Sequence, residues 1–269
     1  MFRRLRIAIL LYVLLFVAAG HWLTQARSTD WDGTLWVTVH PVNGDGSAAA
    51  AEAVAAIDRT DFTAVESFFA SEARRYGVRL EQPIRFDVAA RSAVELPRLP
   101  ADPSALDAVA FSLRLRWAAV KAGWSSDLPS ADVTVFAVFH DGAADVALDR
   151  SVGLRKGMVA IANVFADRSA AGSNAVVIAH ELLHTLGATD KYEPADNMPI
   201  FPDGYADPDA RPLLPQRRAE LMAGRIAVGR DEAVVPGSLR QVVVGPVTAG
   251  EIGWSAAGSS PSGTDISSP

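Results

Sequence analysis

Two histidines and a glutamate stand close together in the sequence HELLH at residues 180–184. Histidines four residues apart lie on the same face of an α-helix, so the imidazoles of His180 and His184 can reach one metal ion. Glu181 follows the first histidine, and its carboxylate is directed so that it can act on a water molecule at the metal instead of binding the metal itself. The spacing therefore predicts a catalytic metal centre with Glu181 as the general base.

A third protein ligand is needed, because a catalytic zinc ion normally has three protein ligands and one open position. The five histidines, at 21, 40, 140, 180 and 184, leave none downstream of the motif. Asp190 is the best candidate, since Gly187 can end the helix in a left-handed conformation and turn the chain back toward the metal. We therefore expect one Zn²⁺ ion bound by His180, His184 and Asp190.

These residues read HExxHxxGxxD, which resembles the long zinc signature of the metzincin metallopeptidases, with aspartate where most members have a third histidine. Snapalysin-type peptidases show the same aspartate. The resemblance covers about residues 157–254. It implies an α+β zincin domain, in which a mixed twisted sheet with backing helices carries an active-site helix.

Metzincins also place a methionine in a tight turn beneath the metal, and Met222 in the sequence AELMAG is similar in position. Members of the family commonly have a tyrosine shortly after that methionine, but Ala223 and Gly224 stand here. A tyrosine that acts as ligand or oxyanion donor would therefore have to be Tyr192 or Tyr205.

Two other metal assignments are open. A glutamate ligand further downstream is the pattern of thermolysin-like enzymes, and Glu220, or less readily Glu193, would fill that role here. Four aspartates in the following loop could bind a structural Ca²⁺ ion, although an acidic loop is more often simply solvated. They are Asp196, Asp203, Asp207 and Asp209.

The reaction that this metal centre predicts is hydrolysis of a peptide bond by a metal-activated water. Glu181 would take a proton from the water and pass it to the departing amine. The resemblance implies that the strand at 157–164 forms a sheet edge on which an extended polypeptide substrate pairs. Two alternatives come from other classes: a membrane-tethered binding or scaffold module without catalysis, and a zinc hydrolase of a non-peptide envelope amide.

Alternating and helical patterns place this motif in an ordered domain. Strands are predicted at 35–42, 82–89, 132–139, 157–164 and 240–244, and helices at 47–57, 63–76, 104–123, 173–186 and 246–254. A Thr63 to Glu66 capping pattern is expected to open the second helix, and Ser104 with Asp107 the third. The stretch 188–215 holds six prolines and is predicted to be irregular.

Composition narrows the function further. The net charge of -6 argues against a nucleic-acid partner, which needs a basic surface. Cysteine is absent, so disulfides, thiolate ligands and a cysteine nucleophile are excluded. At 269 residues the chain suits one catalytic domain, which we place at residues 30–254, followed by a Ser-, Gly- and Pro-rich tail at 255–269 that is expected to be disordered.

The first residues predict export. Arg3, Arg4 and Arg6 precede an apolar run from Ile7 to Ala19, which Trp22 and Leu23 extend. This pattern is typical of a signal anchor or a cleaved signal peptide within residues 1–29, with the domain on the periplasmic or outer side of the membrane. The leader would keep the protein membrane-anchored if retained and secreted if cleaved.

Overall fold

Five strands form one mixed sheet in the structure, a computed structural model that describes residues 30–90, 94–100, 103–142, 151–154 and 158–254. The strands are β1 (Leu35–Asn43), β2 (Ile84–Val88), β3 (Val133–His140), β4 (Val152–Leu154) and β5 (Val159–Phe165). They lie in the order β2-β1-β3-β5-β4. The first four in this order run parallel, and β4 pairs antiparallel with β5. Four of the five predicted strands are thus confirmed in this sheet, and β4 is an addition that the sequence pattern did not reveal.

Helices cover both sides of the sheet. They are α1 (Ala48–Ala56), α2 (Thr63–Arg75), α3 (Ala105–Trp124), α4 (Ala171–Leu186) and a short α5 (Pro246–Glu251). All five were predicted to within a few residues. The strands β1, β2 and β3 run parallel and are connected through the helices α1, α2 and α3, which is the arrangement that buries a sheet on both faces.

The helix starts confirm one capping prediction and correct another. Ser104 and Asp107 form the expected reciprocal capping box at the start of α3. The cap predicted at Thr63 and Glu66 is wrong, because Asp58 and Asp61 form the capping box around a 3₁₀ turn that precedes α2. Glu66 instead accepts a hydrogen bond from the backbone N–H of Phe86 at 2.8 Å, so a contact with β2 replaces the local cap.

The two faces of the sheet bury separate cores. Alternate residues of β1, β3 and β5 pack with α1, α2 and α4 in the larger core, where Val39, Val135 and Ala162 are fully buried. The intervening residues pack under α3 in a smaller core with Phe136 and Leu115 at its centre. We call these sides the α4 face and the α3 face of the sheet.

The C-terminal part of the chain is irregular, as predicted, and is held by side chains and short strand pairs. Gln216 is buried; its side chain accepts a hydrogen bond from the N–H of Asp207 and donates to the carbonyls of Asp207 and Leu213. Short strands β6 (Ala219–Glu220) and β9 (Val242–Val243) pair parallel, and β7 (Ile226–Ala227) and β8 (Ala233–Val234) pair antiparallel. The strand expected at 240–244 is thus present as β9.

No helix in the described part of the chain is long and apolar enough to span a bilayer. The export segment predicted in residues 1–29 and the tail predicted at 255–269 lie outside the described residues.

Candidate metal centre

Helix α4 carries the motif because one of its faces is apolar and packs on the sheet. Val176, Ala179, Leu183 and Leu186 recur at helical spacing and are all buried, as predicted. Gly187 ends the helix with φ 111°, and its N–H donates to the carbonyl of Leu183 at 3.0 Å. The left-handed turn expected at this glycine is confirmed.

Both imidazoles on the other face are oriented by backbone carbonyls. The Nδ1–H of His180 donates to the carbonyl of Leu221 at 2.9 Å, and the Nδ1–H of His184 donates to the carbonyl of Ala188 at 2.9 Å. A carbonyl can only accept, so each ring carries a proton on Nδ1, and Nε2 is the ring atom that can bind a metal ion when it gives up its own proton. The two Nε2 atoms lie 3.1 Å apart.

The carboxylate of Asp190 lies close to both of these Nε2 atoms. Its Oδ1 lies 3.2 Å from Nε2 of His180 and 3.1 Å from Nε2 of His184. Three ligand atoms bound to one tetrahedral zinc ion at about 2.0–2.2 Å would be about 3.3–3.6 Å from each other, slightly further apart than the three atoms here. The separations in this protein are therefore close to those around an ion at the centre of the three atoms.

Glu181 completes the cluster. Its ligand oxygen and the ring nitrogens of His180 and His184 lie within 4.8 Å of one another, so this group could hold a metal ion. The residue is 5% exposed, and its Oε2 atom is buried without a hydrogen-bond partner. A buried carboxylate oxygen is rarely left unpaired, so this atom is free to serve a ligand or a water molecule.

The electrostatics of the cluster favour a cation. Burial by itself lowers the pKa of His180, but the hydrogen bond to Asp190 and the charge of Glu181 outweigh it and raise that pKa to about 9. Burial raises the pKa of Asp190, yet the two imidazoles hold it far below its usual range. Burial also raises the pKa of Glu181, against the opposing charge of the histidines. A site that retains a proton this strongly also attracts a metal ion, which competes with that proton.

A tight turn at residues 220–224 supports the histidine pair. Leu221, which accepts from His180, is followed by the fully buried Met222, and Gly224 closes the turn with φ 67°. The carbonyl of Met222 accepts from the N–H of Lys191 at 3.0 Å, directly after Asp190. The turn thus contacts both the helix and the segment that carries the aspartate.

Glu220 builds this turn and is not available as a metal ligand. Its Oε2 accepts from the N–H groups of Met222 at 2.6 Å and Ala223 at 3.0 Å. Its Oε1 accepts from the N–H of Gly245 at 3.0 Å and from the hydroxyl of Thr248 at 2.8 Å. The alternative in which Glu220 binds the metal is therefore wrong, because four donors already occupy its carboxylate.

A second supporting carboxylate was missed in the sequence. Glu251 of α5 accepts from the N–H and the hydroxyl of Thr189 at 3.0 and 2.7 Å, and from the ammonium of Lys191 at 3.0 Å. It holds the residues on either side of Asp190. Glu251 and Lys191 are 60 positions apart in the sequence, so no local spacing signals the contact.

Both candidate tyrosines contact residues of the irregular stretch that follows the motif. The ring of Tyr205 contacts the ring of Phe201 edge to face, and Tyr192 forms an isolated antiparallel β-bridge with Pro199. Glu193 and the loop residues Asp196, Asp203, Asp207 and Asp209 belong to no group of three or more ligating side chains in the described residues, where His180, Glu181 and His184 form the one such group. The calcium site therefore gains no support.

The sheet edge beside the cluster is β4, which corrects one expectation. The strand predicted at 157–164 is β5, and it lies between β3 and β4 instead of at the edge. A Cβ atom added at Gly153 of β4 would overlap Cβ of His184 and lie 2.7 Å from the carbonyl oxygen of Glu181. The backbone of the edge strand therefore packs directly against the metal-binding turn of α4.

In comparisons with protein-family models, curated proteins and solved structures, none matches this chain. The function has to be argued from the chemistry of the site itself.

Proposed function

We propose that this protein is a zinc-dependent endopeptidase of the metzincin type, acting on polypeptides outside the cytoplasmic membrane. One observation supports it above all: three electron-pair donors, the Nε2 atoms of His180 and His184 and Oδ1 of Asp190, converge within 3.2 Å of each other. Lone pairs brought this close repel one another unless a proton or a metal ion lies between them, and a metal ion competes for the place of the proton. This N, N, O donor set suits catalytic zinc, which takes three protein ligands and keeps a fourth position open for water.

Zinc held by these three residues would supply a Lewis acid that polarises the scissile carbonyl and lowers the pKa of a water molecule toward about 7. Glu181 is suited to take the proton of that water, because its Oε2 is unpartnered and burial raises its pKa. The same carboxyl can then deliver the proton to the departing amine. The backbone carbonyls of Leu221 and Ala188 keep both imidazoles in one tautomer throughout.

The edge strand suggests how a peptide would be held. One side of β4 pairs with β5, and within the described residues no strand pairs with its other side. An extended chain that added to β4 by main-chain hydrogen bonds would pass beside His184, because Gly153 lies against that residue. This geometry favours a polypeptide over a small amide as the substrate.

The experiment compares the zinc content and the casein-cleaving activity of the full chain with those of three variants. Glu181→Gln should lower the cleavage rate by a factor of about 10²–10⁴, as expected for a lost general base, and should retain the metal. Asp190→Asn should lose both metal and activity, because a ligand is removed. Glu52→Gln, on the exposed surface of α1, is the matched control and should change neither.

Two results would overturn the proposal. Full activity in Glu181→Gln would show that this carboxylate is not the base. Retention of zinc without cleavage of any unfolded polypeptide by the unaltered protein would favour a non-catalytic role for the metal.

A further inference from the structure

Helix α3 is apolar on two opposite sides. Phe111, Leu115, Ala118 and Ala122 face the sheet and are buried. Six other large apolar residues follow one another at intervals of three or four, which places them on the opposite side of the helix. We call this set the outer face of α3: Leu106 (80% exposed), Val109 (57%), Leu113 (60%), Trp117 (56%), Val120 (42%) and Trp124 (74%).

Single exposed apolar residues are ordinary, but a continuous row of six that includes two tryptophans is not. The rings of Trp117 and Trp124 contact each other edge to face, with centroids 5.6 Å apart. They lie at the C-terminal end of the helix, so the outer face has an aromatic end. A helix that keeps such a surface in water is stabilised when something covers it.

The charges beside the outer face indicate what covers it. Arg114 and Lys121 lie seven residues apart along one flank, and Arg116 lies on the other. Asp107, in the first turn, is the one acidic residue of the helix. Two copies of α3 packed face to face would bring these basic flanks together without partners, whereas an anionic surface would neutralise them. Basic residues around a tryptophan-containing apolar face are typical of helices that lie in a lipid interface.

The position of the chain's first described residues is consistent with this. Asp132, just before β3, accepts a hydrogen bond from the N–H of Trp36 at 2.9 Å, and Asp132 and Trp124 line the same cavity. The start of β1 and the aromatic end of α3 therefore lie at one end of the sheet. Leu23, which ends the predicted apolar run, and Asp30 are seven positions apart in the sequence, a span of at most about 25 Å.

We propose that the outer face of α3 lies in the headgroup region of an anionic bilayer, so that the domain is seated on the membrane as well as tethered to it. The apolar row enters the interface, the two tryptophans lie at headgroup level, and Arg114 and Lys121 bind lipid phosphates. The opposite side of the sheet, with His180 and His184, then faces away from the bilayer. This inference rests on the predicted membrane segment and is independent of the proposed catalysis.

The chain has no cysteine, so a single introduced cysteine gives one spin-labelling site. Leu113→Cys places the label on the outer face, and Ala55→Cys, exposed on α1 at the opposite side of the sheet, is the matched control. The full-length protein is reconstituted in vesicles of equimolar phosphatidylcholine and phosphatidylglycerol. The label at 113 should lose accessibility to a water-soluble nickel complex and gain accessibility to oxygen, while the label at 55 should keep its aqueous accessibility.

Three outcomes would overturn the proposal. Equal aqueous accessibility at both sites would mean that the outer face stays in water. Dipolar broadening between labels at 113 would assign the face to a second copy of the chain. Loss of accessibility to the nickel complex and to oxygen together would mean that another part of the protein covers it. Arg114→Gln with Lys121→Gln, in the labelled protein, should restore aqueous accessibility if the lipid charge contributes.

Discussion

Buried polar side chains near the candidate metal centre on the α4 face are hydrogen-bonded more completely than His40 and Arg116 on the α3 face. On the α4 face, each imidazole of the histidine pair is fixed by a backbone carbonyl, and Glu220 and Glu251 are saturated with donors. Oε2 of Glu181 is the unpaired atom beside this cluster, and it is the atom that the proposed chemistry uses.

Two buried polar groups on the α3 face, the imidazole of His40 and Nε of Arg116, lack such support. His40 is 3% exposed beside a cavity of about 610 Å³, and within the described residues its ring nitrogens form no hydrogen bond, only a ring contact with Phe136. Nε of Arg116, which lines the same cavity, is also buried and unpaired. The comparison shows that burial alone does not make a reactive site, because a neighbouring donor or acceptor must also fix each group.

The largest effect is expected where that support is removed from the α4 face. In Glu220→Gln the amide NH₂ must face either two backbone N–H groups or the N–H of Gly245 and the hydroxyl of Thr248. We expect the free energy of unfolding to fall by about 1.5–3 kcal/mol, which is the contribution of a hydrogen bond to a charged group. Metal affinity should fall too, because the turn carries the carbonyl that orients His180.

Urea unfolding and metal titration measure these two losses, with Glu52→Gln as the exposed control, which should stay within about 0.5 kcal/mol. An unchanged urea midpoint for Glu220→Gln would contradict the idea that this carboxylate holds the turn together.

The sequence was sufficient for the part of the site that is local. His180, Glu181, His184 and Gly187 lie within eight residues of one helix and its end, so the 3.6-residue repeat alone determines which of them share a face. Asp190 follows from the same turn. Most strands and helices were likewise predicted, because their apolar residues recur at the period of the element.

What the sequence could not provide depends on distant contacts. Glu220 has a side chain that can bind a metal ion, so the sequence offered it as a ligand. Only the fold brings Gly245 and Thr248 to its carboxylate. The strand β5 is buried on both faces, so its pattern does not say which neighbour lies beside it, and the three residues of β4 are too few to show alternation. Whether this domain has the zincin architecture in full stays a prediction, as does the export segment.

A change from glycine to alanine should have opposite effects on the two faces. In β4, Gly153→Ala places a Cβ atom 2.7 Å from the backbone oxygen of Glu181, which a side-chain rotation cannot relieve. We expect a loss of about 1–3 kcal/mol in stability, as for other overpacked sites, together with lower cleavage activity. In α3, Gly123→Ala meets nothing within 4 Å and should gain about 0.5–1 kcal/mol, the helix preference of alanine.

Thermal unfolding of the two variants beside the unaltered protein tests this pair. A stable Gly153→Ala protein with full activity would mean that β4 does not pack against α4 closely enough to guide a peptide. Loss of stability in Gly123→Ala would contradict the open space beside that helix.

The smallest effect should come from the unsupported histidine of the α3 face, and it should depend on pH. Burial lowers the pKa of His40 from its ordinary value of about 6.5. At a pH above that value the imidazole is neutral in both the folded and the unfolded state, so it adds no pH dependence to the stability. Below it the unfolded chain binds a proton that the folded protein does not, so the unaltered protein loses up to about 1.4 kcal/mol per pH unit as the pH falls.

His40→Leu, of similar size, removes this loss, since leucine has no proton to bind. We expect the variant and the unaltered protein to differ by less than about 1.5 kcal/mol at neutral pH, and the variant to become relatively more stable in acid. Urea unfolding at several pH values on both sides of the ordinary histidine pKa measures the difference. Parallel curves at every pH would mean that His40 binds a proton as readily in the folded protein as in the unfolded chain. A proton there would need an acceptor, and the α3 face would then hold its polar groups as firmly as the α4 face does.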